Sequence, residues 1–212
     1  MPAAKTEKEN QPSGRQSGRR AKRSEETRER IFRAALDLFA QRGFNATTIE
    51  AITAAADVGK GTFFNYFENK ESVLLEYREL QMERVADFVA ANRESDRSLA
   101  PLLLQLALTL TMEQEKSPGL IQSLMTAVFG SETVRRRMAE AMEGNIQQLS
   151  TVMARRQQSG EIRSDLDAFS IAQSFQRIIF GTMITWSLNP VDPLEENLKK
   201  SIQVFVDGAR SK

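Results

Sequence analysis

Apolar residues recur at helical intervals along almost the whole chain. In "SEETRERIFRAALDLFAQRG", Ile31, Ala35, Leu38 and Phe39 stand at i, i+4, i+7 and i+8, which makes one stripe. Ser24 is a candidate N-cap with acidic residues behind it, and Gly43 lies just past the last apolar position, where a left-handed residue closes helices. Ile49, Ile52 and Ala56 share one face of a much shorter helix. A capping box opens it, Thr47 accepting from the backbone and Glu50 reaching back. "AADVGKG" must then end that helix and begin another within a few residues. Asp57 tolerates the left-handed turn this requires, and Gly59 is a permissive N-cap. Asn69 caps a long amphipathic helix, "KESVLLEYRELQMERVADFVAAN". A long helix, a short one, a tight turn, a second short one and a long one make a helix-turn-helix order.

Beyond Asn92 the spacing predicts longer, more apolar helices over 98–115, 117–129, 131–159, 165–188 and 194–209. No stretch alternates as a strand does, so the expected class is all-α. In the 165–188 helix, Ala172, Phe175, Ile179, Met183 and Trp186 form one stripe, while Ile171, Ile178 and Leu188 contribute to a second. A helix apolar on two sides needs two packing partners. Leu194, Leu198, Ile202 and Phe205 give the last helix a similar seam. Asp165 and Asp167 stand at a helix start, where capping is their expected role. The longest apolar run, "LAPLLLQLALTL", is too short to span a bilayer and carries Gln105 in its middle, so a buried helix is expected and no membrane.

Composition narrows the chemistry. The 212 residues include no cysteine and no histidine. Disulfides, thiol chemistry, the usual zinc sites and the commonest general base are excluded, so we expect no enzyme, no metal and no cofactor. The first twenty residues are polar, with no apolar core of a secretory signal, which fits a cytoplasmic setting. Net charge is only +1, yet residues 1–70 carry thirteen Lys and Arg against nine Asp and Glu, and residues 1–23 seven against two. A basic front on a mildly acidic body suits a polyanion met by the front alone. Residues 1–23 are expected to be a disordered arm carrying Arg15, Arg19, Arg20, Lys22 and Arg23.

"GKGTFFNYF", from Gly59, admits three readings. As a nucleotide loop it fails on spacing: Gly61 separates Lys60 from Thr62, and an alanine-rich helix precedes it instead of a buried strand. As a plain helical hairpin it explains Phe63 and Phe67, four apart and able to face inward with Val58. That leaves Lys60, Thr62, Phe64, Asn65 and Tyr66 on the rest of a two-turn helix. As a surface for nucleic acid these residues have partners: phosphate or guanine for Lys, adenine for Asn, the thymine methyl for Phe. Gly61 would let the backbone approach a duplex closely.

Together with "RERIFRAALDLFAQRGF", the stretch Thr47 to Glu71 resembles the DNA-binding domain of the tetracycline-repressor (TetR) family of bacterial transcriptional regulators. The shared pattern is "GF-x-A-T-T", a short alanine-rich helix, "V-x-K-G-T-F-x-x-Y-F" and "x-x-K-E", across about fifty residues from Thr27 to Leu75. The resemblance implies that Thr48, Tyr66 and Lys70 contact phosphate and that Lys60, Gly61, Thr62, Phe64 and Asn65 lie on the recognition helix. Asp57 stands where the family commonly has Gly, Gly59 where it has Ser or Thr, and Phe64 where Tyr is frequent. It implies an arm at 1–23, a DNA-binding domain at 24–70 and a ligand-binding and dimerisation domain at 71–212. A small-molecule effector would fill a pocket drawn from Phe88, Met112, Met125, Phe129, Phe175, Ile179 and Met183. Ile178, Leu188, Leu198, Ile202 and Phe205 would join a homodimer, and the dimer would bind a palindromic double-stranded operator until the effector releases it. A helical adaptor for a protein partner is the competing class.

Overall fold

A computed structural model describes residues 14–92 and 95–210. Among them the chain forms helices α1 (Gly14–Arg42), α2 (Ile49–Ala55), α3 (Lys60–Phe64), α4 (Lys70–Ala91), α5 (Leu99–Lys116), α6 (Pro118–Gly130), α7 (Glu132–Gln158), α8 (Ala168–Leu188) and α9 (Leu194–Ala209). The only β-pairing described is an isolated bridge between Ile162 and Arg210.

The punctuation residues act as their chemistry suggests. Gly43 ends α1 at φ +83, and Asp57 makes the turn between α2 and α3 at φ +51. Asn69, Ser131 and Asp167 cap α4, α7 and α8, each side chain accepting a backbone N–H three residues on. Asp165 instead pairs with Arg163.

Two expectations change. The N-cap of α2 is Thr48, whose hydroxyl accepts from Ala51 N at 3.2 Å. Thr47 is buried and donates to Gly43 O at 2.8 Å and Leu38 O at 3.2 Å, so it closes the end of α1 instead. A capping box shifted by one residue is indistinguishable in the string "TTIE", and burial decides it. The second change concerns the arm. Helix α1 continues upstream through residues 14–23, where Arg, Lys, Gln and Ala favour a helix and no proline interrupts. Ser24 therefore lies within a helix and caps nothing. Arg19, Arg20, Lys22 and Arg23 are exposed on this extension. The side chain of Arg15 and all of residues 1–13 lie outside the described residues.

Two cores share their walls. The first gathers Ile31, Phe39, Phe44, Ile52, Phe63, Phe67 and Leu74 from α1 to α4, and it also takes in Leu120, Leu124 and Ala127 of α6. The second lies among α4 to α9, around Leu102, Leu106, Met153, Phe175 and Leu198. Helices α4 and α6 contribute to both. A boundary drawn at residue 70 therefore cuts through packed side chains.

Candidate nucleic-acid interface and effector cavity

Helix α3 is positioned by its aromatic underside. Phe63 is fully buried and Phe67 nearly so, with ring centroids 5.7 Å apart. Backbone bonds from Val58 N to Thr53 O and from Asp57 N to Ala54 O close the turn that holds α3 against α2. With Phe63 anchored, the opposite face is turned outward. Lys60, Gly61 and Asn65 are exposed, Phe64 is 50% exposed, and Thr62 and Tyr66 are half-buried. Phe64 sets its ring edge-on against Phe63, centroids 5.5 Å apart, and leaves its other half open beside the cation and the carboxamide.

Three side chains near this face have partners the sequence did not suggest. The ammonium of Lys60 pairs with Glu50 on α2. That contact, and to a lesser degree the Thr48 hydroxyl, holds the Glu50 carboxyl below its ordinary range. The Tyr66 hydroxyl lies 3.1 Å from Ser24 Oγ, tying α3 to α1. Lys70 departs most from expectation. Its ammonium donates to Phe44 O at 2.8 Å, Thr47 O at 3.2 Å and Asn45 O at 3.4 Å, and sits 4.4 Å from the Phe44 ring centroid. An ammonium has three protons. All three are used on the loop that follows α1, so Lys70 pins this loop to α4 and has no proton left for phosphate.

A partly open cavity of about 110 Å³ lies among α4, α5, α6, α7 and α8. Of the seven residues expected to line a pocket, Met125, Ile179 and Met183 do so. Phe88 and Phe175 are packed into the second core, Phe175 with its centroid 5.8 Å from that of Phe205. Met112 and Phe129 face outward, 52% and 77% exposed. The sequence stripe identifies apolar positions, but core and cavity wall look alike in it. Arg78, Gln81 and Asn145 also line the cavity, and an apolar pattern gives no signal for them.

The expected interface residues divide likewise. Leu198 and Ile202 are buried within the chain itself, packed into the second core. Ile178 and Phe205 are half-buried, while Leu188 is 73% exposed. Val204 and Val191, which the periodicity passed over, are 75% and 77% exposed on and beside α9. Among the described residues no cluster of acidic side chains is placed to hold a metal, and no helix is long and apolar enough to cross a membrane.

Residues 31–77 match the family model described as bacterial regulatory proteins, tetR family. The chain is similar to the fatty acid metabolism regulator protein of Bacillus subtilis, 26% identical over 164 residues that span 75% of this chain and 82% of the relative. It is similar too to the transcriptional repressor DhaR of a Mycobacterium species, 25% identical over 78% of this chain and 86% of that one. Among solved structures, the TetR-family repressor FadR of Thermus thermophilus, in complex with lauroyl-CoA, superposes with a TM-score of 0.63. It is 28% identical, and the match covers 87% of this chain and 96% of that one. Bacillus subtilis FadR, in complex with stearoyl-CoA, shares the fold at a TM-score of 0.71 and 21% identity, over 86% of this chain and 99% of its own.

Proposed function

We infer that this chain, a TetR-family transcriptional regulator, represses by presenting two copies of α3 to successive major grooves of a palindromic operator. Its class is that of a DNA-binding repressor with a small-molecule effector, and the comparisons favour this over a protein adaptor. The assignment of particular residues is our own reading. Lys60, Thr62, Phe64 and Asn65 would read the groove, Gly61 would admit the backbone close to the duplex, and Thr48 and Tyr66 would meet phosphate. The exposed basic run Arg19, Arg20, Lys22 and Arg23 on the extension of α1 would add sequence-independent attraction.

The observation that carries this reading is the outward face of α3. Phe63 and Phe67 spend the apolar side of the helix on its own core, while the Asn65 carboxamide is exposed, half of the Phe64 ring is open to solvent, and the Lys60 ammonium, though paired with Glu50, stays at the surface. A helix-turn-helix dimer sets two such faces one helical turn apart on DNA. Homodimerisation would use the outer faces of α8 and α9, where Leu188, Val191 and Val204 are exposed.

Effector release follows from the shared walls. Leu124 and Met125 touch both the first core and the cavity, while their neighbours on α6 divide between the two: Leu120 and Ala127 face the first core and Ile121 the cavity. Helix α4 does the same with Tyr77. A molecule that binds the cavity more tightly when these helices are displaced would shift them, and with them the spacing of the two α3 helices.

The test is binding to a duplex selected from a random pool. Lys60→Ala and Asn65→Ala should each weaken specific binding by about 1–3 kcal/mol while leaving helicity and self-association intact. Parental affinity in both variants would remove α3 from the groove.

A further inference from the structure

The cavity wall carries polar groups that the fold itself leaves unmet. On α4, Gln81 buries both halves of its carboxamide, and neither Nε2 nor Oε1 has a hydrogen-bond partner among the described residues. Opposite, on α7, the Asn145 Oδ1 is buried and unpartnered in the same way. One turn before Gln81, the Arg78 guanidinium is anchored from outside: Nη1 donates to Arg137 O at 3.2 Å and lies 3.4 Å from Met82 Sδ, and Nη2 lies 3.5 Å from Glu79. Its Nε is left buried and unmatched. The other walls are apolar, with Leu110, Ile121, Met125, Ile179 and Met183 among their residues.

Buried polar groups without partners are costly, and a set of them in one cavity marks where a ligand's polar atoms belong. The set also says which atoms. Gln81 offers a donor beside an acceptor, Arg78 adds a donor and Asn145 adds an acceptor. A carboxylate has only acceptors and would stand against Gln81 Oε1 and Asn145 Oδ1. A ketone or ether lacks the donor as well. A carboxamide edge, with N–H next to C=O, matches Gln81 at two points at once. Size limits the remainder. A cavity of about 150 Å³ takes one benzene, so this one, at about 110 Å³, encloses about four to five carbons, and a longer chain would reach out through its open side.

We propose that the effector is a compact apolar compound bearing a carboxamide edge, received by Gln81 with Arg78 and Asn145 beside it. This rests on the ligand-gated reading above and gives its ligand a chemistry. Two sources present that edge: a free amide or lactam, and the amide of the carrier arm of an acyl thioester. The probes are hexanamide, its isosteres hexanoate and 2-heptanone, and the longer S-hexanoyl-N-acetylcysteamine, titrated by calorimetry or ligand-observed NMR into the free protein without DNA.

Hexanamide should bind roughly tenfold tighter than 2-heptanone and hexanoate, the size of effect set by a matched pair of buried hydrogen bonds. Gln81→Leu should abolish that preference and, because it removes two unmet polar atoms, raise the melting temperature of the free protein. A purely structural glutamine would change the melting temperature and leave the preference alone. Tighter binding of the thioester assigns the carrier-borne source, and tighter binding of hexanamide the free amide. The proposal is overturned if the ketone matches the amide, if the preference survives in Gln81→Leu, or if no probe binds. Operator affinity, measured separately, distinguishes each of these from a failure of the regulator reading.

Discussion

The Ser123 hydroxyl, on α6, donates to the main-chain carbonyl of Phe39, on α1, in a buried hydrogen bond that joins a helix of the cavity wall to the helix packed on α2. One turn earlier Gly119 lies so close to Ala40 that a methyl group there would collide with the Ala40 carbonyl oxygen. Helix α6 therefore touches α1 backbone to backbone, and its other side lines the cavity. On the proposed reading, this contact and α4 are the two routes by which a ligand in the cavity would be felt at α3.

Gly119→Ala should force α6 off α1. The neighbour is backbone and cannot swing aside, so the expected cost is about 1–3 kcal/mol, as for other overpacked sites. Ser123→Ala should cost about 1 kcal/mol through the lost bond. Thermal denaturation checks both, and induction should suffer in Gly119→Ala beyond any loss of stability. Unaltered melting and induction in that variant would mean that the contact is slack.

Lys60 and Lys70 should separate cleanly. Lys60→Ala should flatten the salt dependence of DNA binding by about one unit of slope. Lys70→Met should leave that slope alone and lower stability by about 1–3 kcal/mol, because three carbonyls lose a charged donor. Melting curves and salt titrations of the two variants decide between a lysine whose charge faces the duplex and one that holds a loop.

The contrast shows what a sequence can carry. Periodicity and capping residues locate nearly every helix, since stripes such as Ile31, Ala35, Leu38 and Phe39 and caps such as Asn69 and Asp167 are local signals. The outward residues of α3 are legible for the same reason: once Phe63 and Phe67 are placed inward, the rest must face out. Lys70 is not legible, because its acceptors lie 23 to 26 positions away. Nor are the cavity and interface. Leu198, buried, and Val204, exposed, are both apolar residues on α9, and only the packing of α8 and α5 against that helix tells them apart.

That division predicts how self-association fails. Val204→Glu or Leu188→Glu should shift the protein to monomer, read by sedimentation, with little change in fold. Leu198→Ala should instead destabilise by about 2–5 kcal/mol, as buried leucines do. Retention of the dimer in Val204→Glu and Leu188→Glu together would place the interface elsewhere.

Glu76 introduces a pH dependence. Burial pushes its carboxyl above the ordinary value of 4.5, against the opposing pull of Arg28 2.9 Å away. The folded state thus holds this proton more tightly than the unfolded state. The associated stability is present below the unfolded pKa and is lost as pH rises through the raised folded one. Glu76→Gln should remove that increment, giving a flatter profile of melting temperature as pH rises above about 4.5. A variant profile parallel to the parent's would contradict the burial effect.

The central claim is that two α3 helices, held at a fixed separation by one dimer, read one palindrome. The direct measurement is affinity for a selected operator as its half-site spacing is varied. Inserting about five base pairs, half a helical turn, rotates one half-site to the far side of the duplex. The account predicts a loss of at least tenfold on that insertion and no recovery after about ten, because the half-sites then face the same way but lie a helical turn too far apart for the dimer. Affinity indifferent to spacing, or undiminished for a single half-site, would contradict it.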